Sequence, residues 1–79
     1  MYYIYAIKST SRNYIYVGIT NNLERRLSEH YNGLSKTTKP YRPFILLLKE
    51  EVKNRIEARI REKYLKSGIG KEYLKSLFN

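Results

Sequence analysis

The chain has 79 residues, enough for one small domain spanning 1–79. With no cysteine and one histidine, disulfides and a Cys/His zinc cage are excluded. Sixteen Lys and Arg against seven Asp and Glu give a formal charge of +9, which points to a polyanionic partner, nucleic acid first. A membrane is the weaker rival, because the apolar run Phe44–Leu48 is far too short to span a bilayer and no secretion-signal pattern opens the chain. The cysteine-free composition fits a reducing compartment, so a cytoplasmic protein is expected.

Residues 2–8 alternate, with Tyr2, Ile4 and Ala6 against Tyr3, Tyr5 and Ile7. Residues 14–19 do the same, with Tyr14, Tyr16 and Gly18 against Ile15, Val17 and Ile19. Both stretches are aromatic and β-branched and predict two strands of a hairpin. One face is aliphatic and suits a core; the other is tyrosine-rich and suits a partly wet surface. Asn21 is an N-cap with Glu24 three residues on, and Leu23, Leu27 and Tyr31 repeat at helical spacing up to Gly33. Arg26 and His30 are four apart and share one face of that helix.

Residues 33–43 hold Lys36, Lys39, Arg42, Pro40 and Pro43 and no acid, which predicts a mobile basic loop. Phe44–Lys49 is expected in the interior of the sheet. Glu50 and Glu51 are expected to open a second helix, with Val52, Ile56 and Ile60 as its core stripe. Glu57–Arg61 and Glu62–Lys66 are spaced as i,i+4 pairs, and Gly68 stops the helix. Ile69–Phe78 predicts a short third helix. The order β-β-α-β-α-α is that of an α+β domain, a three-stranded antiparallel sheet flanked by three helices.

Tyr3-Ile4-Tyr5 and Tyr16-Val17-Gly18, separated by a short hairpin, resemble the two tripeptides of the GIY-YIG nucleases. The stretch Gly18–His30 is similar to the small stand-alone branch of that family. Tyr3 stands where the family tripeptide has glycine, Val17 where it has isoleucine, and Ile19 where some members carry lysine. The resemblance implies a metal-dependent endonuclease acting on DNA; single-stranded, branched and duplex forms stay open as substrates. It implies Arg26 and His30 as site residues, and Glu62, four residues after Ala58, as the ligand of Mg²⁺ or Mn²⁺; Glu57 is the rival. It also implies a tyrosine as general base. Tyr5 is preferred, with Tyr16 positioning water or phosphate, and the reverse assignment stays open.

One carboxylate suffices for a magnesium ion that keeps several waters and a substrate phosphate oxygen. Arg26 offers a fork of donors to a non-bridging phosphate oxygen, and can equally be an ion-pair partner of Glu29. His30 can orient water or phosphate. Gly18 is either a point of close approach to nucleic acid or a strand-ending glycine. Arg25, Lys36, Lys39 and Arg42 suit non-specific phosphate contacts, and Tyr31 and Tyr41 suit base stacking. No obligate protein partner is evident. A nucleic-acid-binding module of the same fold, weak or inactive in catalysis, is the alternative, because binding alone does not need Glu62.

Overall fold

The structure is a computed structural model and describes residues 1–78. Strands β1 (Tyr2–Ser9), β2 (Ile15–Thr20) and β3 (Phe44–Val52) form an antiparallel sheet in the order β2-β1-β3. Helices α1 (Leu23–Tyr31), α2 (Arg55–Leu65) and α3 (Gly68–Ser76) complete the expected α+β fold. A single 3₁₀ turn, Lys39–Tyr41, sits in the basic loop.

The central strand is β1, not the apolar β3. Ile4, Tyr5, Ala6 and Ile7 are each fully buried, as expected for a strand covered on both faces. Ile4 and Ala6 pack with Val17, Ala58, Leu65 and Leu74, under α2 and α3. Tyr5 and Ile7 pack with Phe44 and the half-buried Tyr14, Tyr16, Leu23 and Leu27, under α1. The alternation read from the hairpin therefore separates two cores, one per face, and the tyrosine face is dry at Tyr5. As an edge strand β3 leaves Ile45 46% and Leu46 38% exposed.

Glu50 and Glu51 do not begin a helix. They pair with Ile4 and Tyr3 as the end of β3. The helix starts after Asn54, whose side chain accepts from the Glu57 amide. Because Val52 is still strand, the supposed stripe breaks, and Ile56 and Ile60 lie 74% and 67% exposed. The inward face of α2 is Ala58 and Leu65, flanked by the half-buried Arg61 and Glu62; the small Ala58 lets the helix approach the sheet. Arg61 pairs with Glu50, not Glu57: its Nε and Nη2 donate to the two carboxylate oxygens at 2.8 and 2.9 Å, tying α2 to β3. Lys66 does pair with Glu62, at 3.1 Å. Gly68 opens α3 instead of ending α2, and Ser67 caps it. At α1 the cap is Asn22, one residue later than predicted, accepting from the Arg25 amide.

The basic loop is pinned at three points. Tyr41 stacks on Tyr14 with ring centroids 3.8 Å apart, the Thr10 amide donates to the Pro43 carbonyl at 2.9 Å, and the buried Thr38 hydroxyl meets His30. His30 is fully buried and uses both ring nitrogens. Nε2 is hydrogen-bonded to the Tyr5 hydroxyl at 2.8 Å and Nδ1 to Thr38 Oγ1 at 2.7 Å. A neutral imidazole supplies one donor and one acceptor, which suits this chain. Burial, reinforced by the nearby Arg26 charge, depresses His30 from 6.5 to about 4, so the ring is neutral at pH 7. Gly18 pairs with Tyr5 across the hairpin, and a Cβ there would lie 2.5 Å from the Tyr5 hydroxyl oxygen and 2.7 Å from Cζ.

Two consequences can be measured by denaturant unfolding. Gly18→Ala forces the phenol out of its seat and should cost about 1–3 kcal/mol, with a smaller loss in a Tyr5→Ala background. The unfolded chain protonates His30 more readily than the fold does, so stability should fall as pH drops through 6.5, by up to about 1.4 kcal/mol per unit, and level off towards about 4. In His30→Asn the part of that loss between about pH 6.5 and 5 should vanish.

Candidate active site

The phenol cluster is built by register. Tyr5 and Tyr16 point to the α1 side from adjacent strands, with ring centroids 6.2 Å apart. One turn of α1 adds Arg26 and the next adds His30, whose ring centroid is 5.6 Å from Tyr5 and 5.1 Å from Tyr16. Arg26 Nη1 donates to Glu29 Oε1 at 2.7 Å, and Arg25 reaches the other Glu29 oxygen at 3.4 Å. Burial works against the Arg26 charge, but the Glu29 carboxylate and the two phenols hold its pKa above the ordinary value. The pairing with Glu29 is real, and it coexists with a guanidinium beside both phenols.

The two tyrosines differ. Tyr5 is sealed, and burial pushes its phenol well above the ordinary range, helped by the neighbouring Tyr16 and only partly offset by Arg26. Burial thus favours the protonated form of Tyr5. Tyr16 is half-buried and reaches solvent. His30 is sealed between Tyr5 and Thr38, with both ring nitrogens engaged within the protein. Gly18 is buried and makes room for Tyr5.

Two depressions flank this cluster. One, of about 290 Å³, is lined by Arg25, Arg26 and Arg55 with Thr20 and Asn21, and no acid. Arg55 went unread in the sequence, since nothing in its own neighbourhood distinguishes the first residue of α2 from a solvated charge. The second, of about 340 Å³, lies along the other half of β2 and is lined by Tyr14, Tyr16, Lys66, Lys71 and Lys75 among others.

Glu62 belongs to the other layer. It flanks the face of α2 that rests on Ile4, Ala6 and Val17, opposite the phenols, and its carboxylate holds Lys66. Lys66 in turn shares the second depression with Tyr16, so Glu62 is one ion pair removed from the Tyr16 edge of the sheet. Glu57 is exposed at the start of α2 and accepts from Asn54. Among the described residues no three His, Cys, Asp or Glu cluster as a metal cage. A lone half-buried carboxylate fits a hard cation that keeps its waters and takes substrate oxygens, and does not fit zinc. Of the loop cations, Lys36 and Lys39 are exposed, while the Arg42 guanidinium folds back against Gly33. Tyr41 has one face on Tyr14 and Arg12 near its ring. No helix among the described residues is long and apolar enough to cross a membrane.

The family model for the GIY-YIG catalytic domain matches residues 1–74. UPF0213 protein CPE1444 of Clostridium perfringens is 40% identical over 67 residues, 84% of this chain and 71% of that one. UPF0213 protein SH2523 of Staphylococcus haemolyticus is 34% identical over 77 residues, 96% and 93% of the two chains. The solution NMR structure of UPF0213 protein BH0048 from Bacillus halodurans superposes with a TM-score of 0.58 at 30% identity, covering 99% of this chain and 86% of that one. With the tyrosine hairpin, the Arg/His helix and the Glu helix all in place, the chain belongs to the GIY-YIG nuclease family, in its small UPF0213 branch.

Proposed function

We propose that this protein is an endonuclease that hydrolyses DNA phosphodiester bonds, with Tyr16 as the general base and Glu62 as the ligand of one Mg²⁺ or Mn²⁺. The observation that carries the reading is Arg26, a part-buried guanidinium set beside two phenols and opening onto an arginine-lined depression. Such a pocket suits the negative charge that grows on phosphorus during hydrolysis.

Each residue then has a separate task. Arg26, with Arg25 and Arg55 behind it, holds the scissile phosphate. Tyr16, the accessible phenol, takes the proton from water. Tyr5 stays protonated and fixes the position of Tyr16, and is itself fixed by His30 and Thr38. Glu62 would hold the cation, which supplies Lewis-acid stabilisation of the leaving oxygen when bound. For that, Lys66 must release Glu62. Lys36 and Lys39 add outer phosphate contacts.

The binding-module alternative has two observations in its favour: the Lys66 ammonium already pairs with Glu62, and Glu62 lies in the α2 layer, on the opposite face of the sheet from the phenols and outside both depressions. Plasmid nicking and cleavage of single-stranded and branched DNA, with Mg²⁺ and with chelator, decide between the two. Tyr16→Phe should cut about 10²–10⁴-fold more slowly, and Arg26→Ala and Glu62→Gln roughly a hundredfold more slowly, while Tyr5→Phe loses less than Tyr16→Phe. Glu62→Gln cutting as well as the parent would remove the metal role. Binding by the parent and every variant with no cutting by any would favour the module.

A further inference from the structure

The outer edge of β2 is free, since β2 pairs with β1 alone. That edge has cations near both of its ends. At its Thr20 end stand Arg25, Arg26 and Arg55, and at its Tyr14 end stand Lys66, Lys71 and Lys75. No acidic side chain lines either depression. These cations come from three different helices, so no single helix pattern in the sequence brings them together.

We infer that the free edge of β2 is the track of a nucleic-acid strand, with its phosphates on Lys66, Lys71 and Lys75 after they pass Tyr16. This rests on the endonuclease reading and adds the path of the substrate. Six residues of strand span about 20 Å, room for a run of several nucleotides. Lys71 and Lys75 lie one turn apart on α3, a rise of about 6 Å, so they meet different phosphates. Tyr14 and Tyr16 also line this groove. Lys66 has two anions to choose between, Glu62 and a phosphate. A strand in the groove draws the ammonium away from Glu62 and frees that carboxylate.

The partner is a phosphodiester backbone and not an acidic peptide, because a second, arginine-lined depression stands at the other end of the same strand and Tyr16 lines the groove. An acidic peptide extending the sheet by pairing with β2 is the competing occupant.

Binding of a fluorescein-labelled oligothymidylate to the full chain in EDTA tests this without any turnover. For Lys71→Ala/Lys75→Ala the slope of log affinity against log salt should become shallower by about 1.4, two contacts at 0.7 each. Equivalently, the parent's advantage should shrink about sevenfold between 50 and 200 mM salt. Lys71→Arg/Lys75→Arg should keep the parent's slope, and circular dichroism should show all three proteins folded. An unchanged slope in the alanine variant overturns the track and leaves the nuclease reading standing. Oligoglutamate bound as tightly as the oligonucleotide, and lost in the same variant, also overturns it by assigning the groove to a peptide. Failure of the nuclease reading shows separately, as absence of cutting by a parent that binds with the expected slope.

Discussion

The phenol of Tyr5 is the point through which this small fold is organised. It lies on the central strand, and its hydroxyl reaches the imidazole of α1, whose other nitrogen reaches the threonine of the basic loop. Sheet, helix and loop are thereby joined by two buried hydrogen bonds, each satisfied at both ends. A chain of this size has little apolar area to spare, so a polar connection that fixes orientation has more influence here than in a large core. It also requires that nothing fill the space opposite, which is why Gly18 faces the ring. The two tripeptides are therefore one spatial unit, a ring on β1 and the gap on β2 that receives it.

From that unit follows the division of labour between the tyrosines. Adjacent strands offer two phenols to one helix, yet only the outer one is wet. Burial raises the cost of ionising Tyr5 and keeps it a donor, while the edge position of β2 keeps Tyr16 in contact with solvent. The two layers of the molecule meet at that same edge. The guanidinium arrives from the α1 side, and the Lys66 ammonium, paired behind the edge with Glu62, arrives from the other.

Much of this was legible in the residues. Period-two alternation set the hairpin and both of its faces, and spacing placed Arg26 and His30 on one side of a helix. The differences have a common cause: local pattern does not report position within the sheet. Phe44–Leu48 is more apolar than Tyr2–Ile7, yet the tyrosine strand is central because it has a partner on each side and a helix layer on each face. Val52, Ile56 and Ile60 keep helical spacing across what is in fact a strand end, so the stripe they suggest does not exist. Ala58, which carries the contact with the sheet, gives no hydrophobic signal. Spacing puts His30 on the face of Arg26 but does not show its burial, which depends on Tyr5 and Thr38, residues 25 and 8 positions away. Arg55 could be grouped with Arg25 and Arg26 only once the start of α2 was known to lie beside the end of β2.

An unpaired strand is an open invitation to self-association, since its amides and carbonyls can template another copy edge to edge. Here the inviting edge is fenced by like charges from three helices, so two molecules approaching through β2 repel each other before their backbones meet. The residues that make the border attractive to a polyanion thus also act as gatekeepers against aggregation, and replacing them would expose the protein to both losses at once.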